Sequence, residues 1–78
     1  MNIEIVNPDK TVFEGEAKAV LLPGMDGFFE ILDNHAPLIS VLKKGKIKVI
    51  DNKGAENFYE VNGGVVENLN NKVLILVD

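Results

Sequence analysis

Apolar and polar residues alternate with a period of two along most of this 78-residue chain, and no long window sustains a 3.6-residue apolar stripe with caps. Successive side chains of a strand point to opposite faces, so this pattern builds half-buried strands rather than helices. The spacing predicts strands over Asn2–Val6, Thr11–Phe13, Glu16–Leu22, Phe28–Leu32, Leu38–Leu42, Lys46–Asp51, Glu56–Val61, Gly64–Leu69 and Lys72–Val77. The fold class is all-β.

Turn-forming residues separate these segments: Asn7-Pro8-Asp9-Lys10, Pro23 through Gly27, Asp33-Asn34, Lys44-Gly45, Asp51 through Gly54, Asn62-Gly63-Gly64 and Asn70-Asn71. Asn70-Asn71 reads as a two-residue hairpin, because asparagine tolerates the positive φ of a type I′ turn. So many short strands imply a flattened sandwich or barrel, since a single sheet would leave one apolar face in water. A chain of this length is one domain, residues 1–78. There is no internal repeat, linker or low-complexity segment.

What is missing excludes whole classes of function. With no cysteine there is neither a disulfide framework nor a thiolate zinc site. All eight basic residues are lysines and the net charge is −4. Without an arginine fork or a basic surplus, nucleic acid is not an expected partner. Ser40 and Thr11 are the only hydroxyl nucleophiles of their kinds. The start MNIEIV lacks the basic-then-apolar pattern of a secretory leader, and Val73–Val77 is far too short to span a bilayer, so the expected compartment is cytoplasmic.

Five features could carry chemistry. His35, in Asp33-Asn34-His35-Ala36-Pro37-Leu38, has no histidine or cysteine nearby to complete a catalytic or metal constellation, and reads as a structural or interface residue. Asp26, Glu30 and Asp33 lack the spacing of a calcium loop. Lys43, Lys44, Lys46 and Lys48 include two lysines alternating with Ile47 and Val49, the pattern of a solvent-facing strand surface. Pro23–Gly27 and Gly63-Gly64 are turns, since a nucleotide cradle needs a following helix N-terminus. In Phe28-Phe29-Glu30-Ile31-Leu32, parity places Phe28 beside Glu30 on one face, so Phe28 is expected at the surface, as a protein-binding patch would have it.

Taken in order, Ile3–Pro8, Val12-Phe13-Glu14-Gly15, Leu22-Pro23-Gly24-Met25-Asp26-Gly27, His35-Ala36-Pro37-Leu38, Leu42-Lys43-Lys44-Gly45, Asn62-Gly63-Gly64 and Val66-Glu67 resemble the N-terminal domain of the epsilon subunit of F-type ATP synthases. The resemblance runs from end to end. It implies a sandwich of about ten short strands, without catalytic residues or cofactor, in a rotor subunit that joins gamma to the membrane c ring. Such a subunit is peripheral, on the cytoplasmic side of the inner (plasma) membrane. Carried over by position, the c-ring contact falls on Pro23, Gly24, Met25, Asp26, Gly27, Phe28 and Glu30, and the gamma contact on Asn7 and His35.

This chain departs from the family pattern in three places. Phe28 stands where many members have glutamate, and the acid comes instead at Glu30. Asp33-Asn34 replaces the usual proline-glycine. The helical hairpin that normally follows does not appear before Asp78, so neither ATP binding nor hairpin-mediated inhibition is expected of these residues. Two rival readings are a lipoyl- or biotinyl-type carrier presenting Lys53 or Lys72, and a metal enzyme using His35 with Asp26, Glu30 and Asp33.

Overall fold

The alternation seen in the sequence decides which side of each strand turns inward. The computed structural model describes all 78 residues and contains nine strands and no helix. They are β1 (Asn2–Val6), β2 (Thr11–Glu16), β3 (Ala19–Gly24), β4 (Gly27–Leu32), β5 (Leu38–Leu42), β6 (Gly45–Ile50), β7 (Glu56–Val61), β8 (Gly64–Leu69) and β9 (Lys72–Val77). The sheet is continuous in the order β2-β1-β9-β8-β5-β3-β6-β7, with β4 added on β3. All pairs are antiparallel except β1 with β9, which run parallel.

The sheet curls on itself. The rings of Phe13 on β2 and Tyr59 on β7, the two extremes of the strand path, lie 5.6 Å apart. Five strands, β2-β1-β9-β8-β5, thus face the four strands β4-β3-β6-β7. Fifteen buried apolar residues fill the space between, among them Ile3, Ile5, Val73 and Ile75 from one layer and Val20, Leu22, Ile31 and Ile47 from the other. Each fully buried Val or Ile contributes roughly 1.5–3 kcal/mol relative to exposure, and no buried side-chain polar atom lacks a partner.

Only one register point joins the layers by backbone hydrogen bonds: Gly24 of β3 opposite Leu42 of β5. There Lys43 N donates to Pro23 O at 2.8 Å and Met25 N donates to Val41 O at 3.3 Å. This corner explains why β3 runs to Gly24 rather than ending at Leu22. Pro23 turns its donor-less nitrogen to the side where only its carbonyl is used, so a strand proline is tolerated. The start of β3 differs too. Glu16 remains in β2, opposite Asn2, whose Nδ2 donates to Glu16 Oε2 at 3.2 Å. Ala17 and Lys18 cross between layers, with Ala17 N bonded to Met1 O and Lys18 N to Ile50 O, both at 2.9 Å.

Turn chemistry follows the sequence closely. Asn70 and Asn71 have φ of 52° and 61°, as a type I′ hairpin requires, and Asn34 has φ of 62°. Gly64, with φ of 159°, sits where an added Cβ would overlap the Leu76 carbonyl oxygen of the neighbouring strand. One polar residue breaks the inward apolar pattern of β8. Asn68 is 2% exposed, and its Nδ2 donates to both His35 O and Ala36 O at 3.1 Å, fixing the turn between β4 and β5.

Two outcomes test this account. Gly64→Ala is expected to lose at least ~2 kcal/mol, more than Gly27→Ala, because only at Gly64 does the new methyl meet backbone; urea midpoints at constant m-value report the difference. Asn68→Leu removes both hydrogen bonds to the turn, leaving His35 O unpaired and Ala36 O with only its His35 Nδ1 contact, and is expected to lose ~1–3 kcal/mol, with faster amide exchange at His35.

Candidate interaction surface

The Met25-Asp26 turn projects from the corner at the end of β3, and its shape is imposed by what cannot be added there. A Cβ on Gly24 would lie 2.8 Å from the Phe29 ring and from Gly27 O. Pro23 is buried against Gly45, where a Cβ would come within 2.9 Å of the proline ring. Pro23 and Gly24 therefore frame the turn from inside, while Met25, Asp26, Phe28 and Glu30 face water. Met25 is 61% and Phe28 68% exposed. Phe29 and Ile31 turn inward, as parity requires.

Exposed apolar side chains continue from this turn onto β5. Ile39 is 73% and Val41 54% exposed, and with Met25 and Phe28 they border a shallow groove between β4 and β5. Across the same layer, Val41 is paired with Val65, and Val65 with Leu76, an exposed apolar row over three strands. The outer face of the other layer is different. Lys46 meets Glu60 at 4.0 Å and Lys48 meets Glu56 at 3.8 Å across β6 and β7, exposed ion pairs each worth at most about 1 kcal/mol. The outer face of β6 and β7 thus sets paired charges around exposed Phe58, whereas β5, β8 and β9 present the exposed apolar row.

Asn7 and His35 do not meet. Asn7 follows Val6, which pairs with Leu76 near the far end of β9, and its Oδ1 accepts from Asp9 N at 2.8 Å and Lys10 N at 2.9 Å, closing the β1–β2 turn. His35 lies at the opposite end, beside the Asn70-Asn71 turn, where Asn34 N donates to Asn71 Oδ1 at 2.8 Å. Its exposed imidazole is held by its own loop, with Nδ1 2.7 Å from Ala36 O, a contact that requires the proton on Nδ1 and leaves Nε2 free. The c-ring and gamma positions named from the sequence thus fall into three separate places: the Met25–Glu30 corner, the Asn7 turn and the His35 turn.

The parts of a metal enzyme are not assembled. No three His, Cys, Asp or Glu side chains gather to hold an ion, and Asp33 Oδ1 is engaged by the Met1 amino group at 2.5 Å. Lys53 lies in a turn whose backbone is bound by Asp51 Oδ1, and Lys72 opens β9. Ile39, Val41 and Asn68 escaped the sequence reading. In the all-apolar run Leu38-Ile39 and Val41-Leu42 alternation carries no signal, whereas a polar residue two positions after Val66, on the same inward side, does mark Asn68.

Comparison with known proteins gives one consistent result. The curated ATP synthase epsilon chain of Chlorobium limicola is 38% identical over 76 residues, covering 97% of this chain and 86% of that protein. That of Alkalilimnicola ehrlichii is 36% identical over 78 residues, covering all of this chain but 56% of that protein, so this chain spans little more than half of the longer relatives. Among solved structures, a chain of the Euglena gracilis mitochondrial ATP synthase OSCP/F1/c-ring assembly superposes with a TM-score of 0.89 at 21% identity, over 96% of this chain and 48% of that one. A chain from the Tetrahymena thermophila mitochondrial ATP synthase central stalk/c-ring superposes with a TM-score of 0.77 at 19% identity, over 97% and 61%. At those identities the superpositions speak for the fold. The family model for the ATP synthase delta/epsilon chain β-sandwich domain matches residues 1–78, and this chain belongs to that family.

Proposed function

We propose that this chain is a central-stalk subunit of an F-type ATP synthase, connecting the gamma subunit to the c ring and thereby coupling ion translocation to ATP synthesis. It works as a rigid connector. The observation that carries the reading is the exposed Met25–Phe28 corner, pinned to β5 by backbone bonds and continuous with the apolar outer face of β5, β8 and β9. A two-layer β core packed at crystalline density resists shear, which a torque-bearing linker needs. The subunit makes no catalytic contribution of its own, and family membership leaves the carrier reading without support.

In this assignment Met25, Asp26, Gly27, Phe28 and Glu30 meet the c ring, with Pro23 and Gly24 setting the loop's shape, and Asn7 and His35 lie against gamma. Each interface should bury about 800 Å² per partner. The subunit sits peripherally on the cytoplasmic side of the inner (plasma) membrane through the complex. The 78 residues provide no arginine and no helix N-terminus for a triphosphate, so they are not expected to bind ATP.

Truncating an exposed aromatic anchor removes about 1–3 kcal/mol of interface energy. Phe28→Ala is therefore expected to weaken c-ring capture by about five- to a hundredfold while gamma capture is retained. The double variant Asn7→Ala, His35→Ala should do the reverse. Pull-downs with purified gamma and c ring, together with ATP-driven ion pumping in reconstituted vesicles, check both; wild-type capture by both variants would overturn the residue assignments. Isothermal calorimetry should detect no micromolar ATP binding.

A further inference from the structure

The two flanks of the sandwich are treated differently by this sequence. At one flank β2 and β7 approach each other, joined by the Phe13–Tyr59 contact and fringed by Glu14, Glu16, Glu56 and Glu60, the charged guard that keeps strand edges from pairing. At the other flank β4 pairs only with β3, and β5 beyond its Leu42 end pairs only with β8. No strand lies between β4 and β5. Backbone parity shows what the open edge offers. Pro23 turns its carbonyl away from β4, toward Lys43, so its partner Phe28 lies at a position not hydrogen-bonded to β3. By the same alternation Phe28 and Glu30 point their N–H and C=O groups outward, where no hydrogen bond within the chain receives them. The edge ends at Leu32, whose carbonyl accepts from His35 N at 3.2 Å.

We propose that the Phe28–Leu32 edge of β4 is a strand-addition site for a short extended segment of another protein, carrying a lysine or arginine opposite Glu30 and apolar residues around it. The added strand would hydrogen-bond to Phe28 and Glu30 and complete the four-strand layer to five, matching the layer it faces. Its apolar side chains would rest on Phe28 and Leu32 on the outer face and near half-buried Phe29 on the groove side. Charge selects the partner. Glu30 has no ion-pair partner, Asp26 lines the groove, and the chain carries −4 overall; Lys48, in register with Glu30 across Leu21, is engaged by Glu56 at 3.8 Å, and Lys43 lies at the Leu42 end. A second copy of this chain would pair edge to edge about Glu30, setting like carboxylates opposite each other, which disfavours it. The site deepens the rotor reading, resting on it only for which subunit supplies the segment.

The test uses the 78-residue chain and the capped peptide acetyl-Lys-Ile-Val-Lys-Val-Ile-Lys-amide, followed by amide hydrogen exchange. Exchange at Phe28 and Glu30 should slow at least about tenfold on saturation, with the β2 edge unchanged. Glu30→Lys, a fully surface change, should weaken binding about fivefold, and replacing the central peptide lysine by glutamate should restore it. The proposal is overturned by any of three results: no protection at Phe28 and Glu30 with ~1 mM peptide, equal affinity for a peptide N-methylated along its pairing edge, or protection that arises from self-association without peptide. These failures are separable from failure of the rotor reading, which capture by gamma and c ring decides.

Discussion

The corner at which Gly24 meets Leu42 governs the rest of the molecule. It is the one place where the two layers share backbone hydrogen bonds, and it sets how far they diverge beyond it. A side chain at position 24 would strike Phe29 and the Gly27 carbonyl, and at position 23 the junction draws on the carbonyl alone, which accepts from Lys43 N. Proline followed by glycine satisfies both conditions. From that junction the Met25-Asp26 turn is carried outward, β4 is committed to one side of β3, and the flank between β4 and β5 stays open.

Polar groups inside the fold are few and each has a shaping role. Asn68 uses its two amide hydrogens on His35 O and Ala36 O, so a buried side chain of β8 dictates the path of an exposed turn. Asn7 and Asp51 do the same for their own loops by accepting two backbone N–H groups each. The turns are thus over-determined by side chains while the strands are held by the ladder, and the surface presented to a partner is set before any partner arrives. Preorganisation of this kind reduces the entropy lost on association.

Much of this was legible in the sequence, and the reasons differ by element. Alternation in β1, and turn residues bounding β5, β7, β8 and β9, located these strands to the residue, and parity placed Phe28 and Glu30 outside with Phe29 and Ile31 inside. Asparagine pairs revealed the tight turns. The boundary between β2 and β3 was misplaced because Glu-Ala-Lys-Ala continues an alternating pattern through a layer crossing that only tertiary bonds define. Proline at position 23 argued for a strand end, and the exemption comes from a neighbouring strand that sequence does not display. The outer face of β5 was silent because every residue but Ser40 there is apolar. Asn68 was discernible only by its parity. The resemblance suggested about ten strands, and the chain forms nine, leaving one layer a strand short of the other.

Asn7 and His35 stand at opposite ends of the fold, Asn7 just beyond β1 and His35 in the turn that enters β5, separated along the strand direction by about the length of β9, roughly 17 Å at the rise of an extended chain. A partner that held both, as proposed for gamma, would grip the fold at two separated points. Two such points oppose tilting in a way that a single patch of equal area cannot, because the restoring moment grows with their separation. For such a partner the strand length of this small fold would also be its lever arm.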